Sequence, residues 1–177
     1  MAAMIYNSND ATAYLETEDS MVKKILVATD GSARSEKAAD TAIMLAKSCG
    51  AELQVLSVYD MGSLRSAMDI DPDSYEEIKE DDMIVSQEIE GERIKPEKFF
   101  VHRVTEKAGG EKVKAQGEVR VGDPAQAILE TAKDAACDMI VMGTRGRSPV
   151  ITGIMGSIVT KVIHGAAAPV LVVPETA

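Results

Sequence analysis

The sequence predicts an α/β fold built on a mainly parallel sheet, and two observations carry that expectation. Short apolar runs, KKILVAT at Lys23–Thr29, LQVLSVY at Leu53–Tyr59 and DMIVM at Asp138–Met142, have the length and continuity of buried strands. Between them lie segments whose apolar residues recur at helical spacing. Strand, helix and strand in that succession form a βαβ unit, whose two strands run parallel with a right-handed crossover.

Taken in order, the chain opens on an N-terminal extension at residues 1–21, without periodicity and with four acids (Asp10, Glu16, Glu18, Asp19) and no base. A domain is expected over 22–177. After the first strand comes the turn Asp30-Gly31-Ser32, with Ser32 as the helix N-cap. Arg34–Cys49 repeats Ala38, Ala42, Leu45, Ala46 and Cys49 as a stripe of small residues, and Gly50 stands where a C-terminal glycine stop belongs. Leu53–Tyr59 is the second strand.

Residues from about 60 to 110 read as an acidic insertion. Asp69 to Glu90 holds ten acids against one base, Lys79. Asp69, Asp71 and Asp73 alternate as in a calcium loop, but the sixth position, Ser74, lacks the glycine that the sharp turn needs, which argues against an EF-hand. A solvated helix is expected from about Ser74 into the 80s. Pro96 is expected to break any helix around it. KFFVHRV, at Lys98–Val104, fits a helical turn or a strand equally well.

Lys112–Val121 alternates as a strand, with Gly117 as a bulge or kink. Asp123-Pro124-Ala125-Gln126 starts a helix with an acid at the N-cap and proline at N1. That helix is predicted to run to about Ala136, with Ile128, Ala132 and Ala135 on one face. After the strand Asp138–Met142 comes a glycine-rich loop, then a helix from Gly156 to His164 stopped by Gly165. A last strand, Val170–Val173, lies between Pro169 and Pro174.

At 177 residues, 45% hydrophobic and 27% charged, the chain suits one soluble domain. With 3% aromatic residues, no tryptophan and a net charge of −10, neither nucleic acid nor an anionic membrane is an expected partner. No apolar run has the length of a membrane span and the N-terminus lacks a signal-peptide core, so a cytoplasmic location is expected. Cys49 and Cys137 read as two reduced, partly buried thiols, and His102 and His164 as isolated surface or helix-end residues.

The chemistry concentrates in VMGTRGRSPVITGIMGS, Val141–Ser157. Two residues separate Gly143 from Gly146, and nine separate Gly146 from Gly156, with Ser157 next. A loop that leaves a strand and enters a helix offers unpaired N–H groups and the positive end of the helix dipole, which favour an anion. The glycines admit close approach and positive φ angles. Neither GxxxxGK[ST] nor GxGxxG after the first strand is present. From Met139 to Pro174 there is no acid, whereas Arg145, Arg147 and Lys161 are basic. An anionic ligand would require such a segment; burial of the segment would also produce it.

Gly143, Gly146, Gly156 and Ser157 reproduce the G-2x-G-9x-G(S/T) signature of ATP-binding universal stress proteins, which this chain resembles. KKILVATDGS, LQVLSVYD, VGDPAQAILETA, CDMIVMGTRG and APVLVVP follow in the same order. The resemblance spans residues 22–174 apart from the acidic insertion. It implies a five-stranded parallel sheet of order 3-2-1-4-5 flanked by helices, Rossmann-like and similar to adenine nucleotide alpha hydrolases. It implies ATP as ligand, with Mg²⁺ as companion of the triphosphate. Asp30 and the backbone of Ala28 and Val58 would hold adenine and ribose. Met142, Gly143 and Gly146 would line the ribose and phosphates, and Gly156, Ser157 and Ile158 would bind the phosphate chain. Arg145 and Arg147 join this set on charge alone. A homodimer through the apolar edge strand Val170–Val173 is expected.

No catalytic residue is assigned. The phosphate segment lacks the acidic metal ligands and the positioned base of a phosphoryl-transfer enzyme. The expected function is therefore to hold or sense ATP in stress signalling, with at most slow hydrolysis. The alternatives are an adenylating or hydrolysing enzyme of the same wider fold, whose SGGxDS or HxGH motif is missing, and a ligand-free interaction module.

Overall fold

The computed structural model describes residues 22–60, 95–146 and 155–174. The N-terminal extension, the acidic run with its expected helix from about Ser74, and Arg147 lie outside the described residues. Nine elements follow one another: β1 (Lys24–Ala28), α1 (Ala33–Cys49), β2 (Glu52–Tyr59), α2 (Lys95–Gly110), β3 (Ala115–Val121), α3 (Pro124–Asp134), β4 (Met139–Gly143), α4 (Ser157–Gly165) and β5 (Val170–Val173). The five strands form one parallel sheet in the order β3-β2-β1-β4-β5. The chain builds outward from β1 to β3, then crosses back to lay β4 on the other side of β1. Beside β1 the strand order reverses.

Alternation along the strands splits the core into two layers. Ile25, Val27, Leu53, Val55 and Val141 pack under α1 and α2, with Ala38, Ala42, Ala46, Val101, Val104 and Ala108 facing them. Leu26, Leu56, Ile140 and Met142 pack against Ile128 and Ala132 of α3 and Val159 and Val162 of α4. Ser32 caps α1 by accepting from Ser35 N, and Gly50 ends it at φ 69°.

Several elements differ from the sequence expectation. Pro96 lies in the first turn of α2 and opens that helix. The first N–H groups of a helix have no internal acceptor, so proline costs nothing there. KFFVHRV is helical, and Val101, Val104 and Ala108 put α2 into the domain core, so the segment from Lys95 onward is packed as part of the domain. Gly117 makes no bulge: β2 and β3 stay in register from Leu53↔Ala115 to Tyr59↔Val121. A side chain on Gly117 would overlap Val101 of α2, so the glycine lets helix and strand approach closely. The helix α3 stops at Asp134. Ala136 adopts φ 50°, and Cys137 N donates back to Ala132 O at 2.8 Å. Gly165 is the last residue of α4, and a Cβ there would stand 2.6 Å from Leu129 Cδ1 of α3. Among the described residues no helix is long and apolar enough to cross a membrane.

Candidate functional site

A cavity of about 710 Å³ opens at the carboxyl ends of β1, β2 and β4, where the strand order reverses. Ligands of open α/β sheets bind at this kind of place. Ala28, Asp30, Val58, Met142, Gly143, Arg145, Gly146, Gly156, Ser157 and Ile158 all line it. Ten of the eleven residues proposed from sequence are thus brought together.

One wall is the turn after β1. Asp30 Oδ1 accepts from Ser32 N at 3.0 Å and from Ser32 Oγ at 2.6 Å. The same hydroxyl accepts from Ser35 N at 3.2 Å, so capping α1 and fixing Asp30 are one arrangement. Ser35 Oγ donates to Ser32 O at 2.9 Å and stands 3.3 Å from Thr29 Oγ1. With Oδ1 engaged, Oδ2 faces Gly146, where a Cβ would stand 2.5 Å from it.

The opposite wall is the glycine loop. A Cβ on Gly143 would lie 3.0 Å from the backbone C and O of Arg34, so this glycine seats the first turn of α1 against the end of β4. Gly156 N donates to Thr144 O at 3.0 Å, and Thr144 N donates to Val173 O at 3.2 Å. The first bond brings the loop's two described ends together, and the second ties the loop's start to the end of β5. Positive φ plays no part in these glycines: Gly31, Gly50 and Gly122 have it, whereas Gly143, Gly146 and Gly156 do not. Their contribution is close approach alone.

The helix starts differ in one respect. Ser32 caps α1 and Asp123 caps α3, each accepting a backbone N–H through its side chain. At α4 the N-cap is Gly156, without a side-chain bond, and the first turn holds no acid. Ser157, Ile158 and Val159 therefore bring the positive end of the helix to the cavity wall without a side-chain cap from Gly156.

Apolar groups from Ala28, Leu56, Val58, Ile128, Met142 and Val159 line the rest, with Arg145 as the cation on the loop side. Sequence reasoning missed Glu97, which is 2% exposed and lines the cavity from the first turn of α2. It also missed Asp60, Tyr59, Pro124 and Met155. A signal for Glu97 existed: it stands four residues before Val101, on the stripe continued by Val104 and Ala108.

A model of the universal stress protein family matches residues 21–174. Universal stress protein YxiE of Bacillus subtilis is 34% identical over 158 residues, covering 86% of this chain and 99% of its own. Universal stress protein MJ0531 of Methanocaldococcus jannaschii is 35% identical over 157 residues, covering 89% and 85%. Among solved structures, a universal stress protein in complex with cAMP superposes at a TM-score of 0.64 with 22% identity, over 87% of this chain and 98% of that one. The universal stress protein of Archaeoglobus fulgidus in complex with dAMP gives 0.56 at 18% identity, over 86% and 98%.

Proposed function

This chain belongs to the universal stress protein family, and on that premise we propose that its cavity binds an adenine nucleotide, with ATP as the ligand, and holds or senses it without rapid turnover. The observation that carries this reading is the glycine-capped N-terminus of α4, which opens onto the same cavity as an apolar slot and the Asp30 carboxylate. Phosphate suits the first, a purine the second and sugar hydroxyls the third. The cAMP and dAMP complexes of the structural relatives support nucleotide binding at this fold.

Among the described residues no three His, Cys, Asp or Glu side chains converge as a metal centre. Mg²⁺ would accordingly enter as the companion of the triphosphate, held by phosphate oxygens. Arg145 and the α4 N–H groups bind and orient the phosphates. Asp30, engaged by Ser32, accepts from the sugar and is not poised as a base. The same reading includes a homodimer through β5, an edge strand without charge.

The direct test is to denature the purified protein and identify released nucleotide by chromatography and mass, with calorimetric titration of ATP into stripped protein. A released adenine nucleotide, or ATP binding by the stripped protein, is expected; the absence of both would overturn the proposal. Gly156→Val, which places a branched side chain against Thr144 O and Arg145, is expected to weaken ATP at least about tenfold, or about 1.4 kcal/mol. Rapid metal-dependent hydrolysis abolished by Asp30→Asn would favour the enzyme reading instead.

A further inference from the structure

We propose that Phe100, on a helix outside the family's motif, is a positioning residue that holds Asp30 in its ligand-accepting geometry; this rests on the nucleotide reading above. Gly31, between Asp30 and Ser32, sits in the left-handed region at φ 75°, and the Phe100 ring lies so close over it that any Cβ there would overlap the ring. The two bonds from Ser32 to Asp30 Oδ1 span this residue. Glycine is the most mobile residue type when nothing confines it. The ring supplies that confinement from outside the turn, and so preorganises the carboxylate that faces Gly146 across the cavity.

The support is itself anchored elsewhere. Val101, Val104 and Ala108 bury the inner face of α2 in the core, and Arg103 and Lys107 reach Glu36 and Asp40 of α1. Truncating the ring therefore frees the turn while leaving the helix docked. The same helix contributes Glu97 to the cavity wall. Thus α2 meets the site at two points, directly through Glu97 and indirectly through Phe100.

Because Asp30 is assigned to the sugar, Phe100 acts on sugar discrimination and not on the phosphate end. The experiment compares ATP with 2′,3′-dideoxy-ATP by calorimetry in the full chain, Phe100→Ala and Phe100→Leu. The full chain is expected to prefer ATP at least about tenfold, the loss of one charge-assisted hydrogen bond. Phe100→Ala is expected to reduce that preference to about threefold or less, Phe100→Leu to restore most of it, and Phe100→Ala to add nothing in an Asp30→Ala background. Amide exchange at Gly31 and Ser32 is expected to quicken about tenfold in Phe100→Ala without ligand, with the amides of α2 unchanged. A ring that merely packs would lower both affinities equally and keep the ratio, which refutes the proposal. Binding without sugar preference in the full chain refutes it too, while leaving the nucleotide reading intact. A chain that binds no adenine nucleotide sinks both.

Discussion

Cys137 and Cys49 differ in how far water reaches them, and this decides their chemistry. Cys137, 8% exposed behind the end of α3, is pushed up to about 11 by burial, with Lys24 pulling the other way and losing. Its thiol is protonated and inert at neutral pH. Cys49 is half-buried at the end of α1. Ellman's reagent is expected to modify Cys49 in the folded protein and Cys137 only as fast as the protein unfolds; equal native rates would contradict this. The linkage has a definite sign. An unfolded thiol loses its proton near pH 8.5 and the folded one at about 11, so this contribution is complete below the first value. It is lost as pH rises between them. At the same scale, Gly143 and Gly146 show why residue type and residue role part company. A Cβ on Gly143 would press on the Arg34 backbone and one on Gly146 would displace the Asp30 carboxylate, and neither contact is visible in the loop's own sequence.

Helix starts show the same division among elements. Asp123 caps α3, and its carboxyl is held below the usual carboxylate range, first by the Gln126 N–H and then by Lys161, with burial opposing. A depressed folded value means stability that is present above the unfolded value near 3.9 and lost as pH falls through the folded one. Asp123→Ala is expected to cost about 1 kcal/mol in urea unfolding at neutral pH and less in strong acid, where only the cap of a neutral carboxyl is left to lose. Asp123→Asn keeps the cap and flattens the pH profile. An Ala variant with the same deficit at both extremes would remove the electrostatic part of this account. At α4 the corresponding place belongs to Gly156, which makes no side-chain cap bond. The capping residues of α1 and α3 were legible because a cap bond spans three residues. Pro96 was misread because its meaning depends on whether a helix starts or continues there, and the packing of α2 on β2 and β3 decides that.

The two edges of the sheet are treated differently across the whole molecule. On β3, Arg120 pairs with Glu118 at 3.2 Å and reaches Asp134 at 3.5 Å and Glu130 at 3.7 Å, so that edge carries charge. On β5 there is none, Leu171 is 36% exposed, and the neighbouring α4 exposes Ile163. Charged edges resist strand addition and apolar ones invite it. Light scattering is expected to give twice the chain mass, and Val172→Lys the mass of one chain. A wild-type monomer, or an unchanged mass in the variant, would end the edge-pairing proposal.

By itself the sequence determined eight of the nine described elements, all but α2, to within about three residues, and its resemblance to the family, with charge, pointed to ten of the residues that line the cavity. Periodicity, caps and glycine spacing are local properties, written within a few positions of one another. Tertiary structure alone decided that α2 belongs to the core, lines the cavity with Glu97 and sets Phe100 over Gly31. It also decided that Gly117 accommodates Val101 and Gly165 accommodates Leu129, and that Gly146 stands against Asp30. Each of these joins positions distant along the chain. Their physical cause is exclusion between atoms that only the fold brings together.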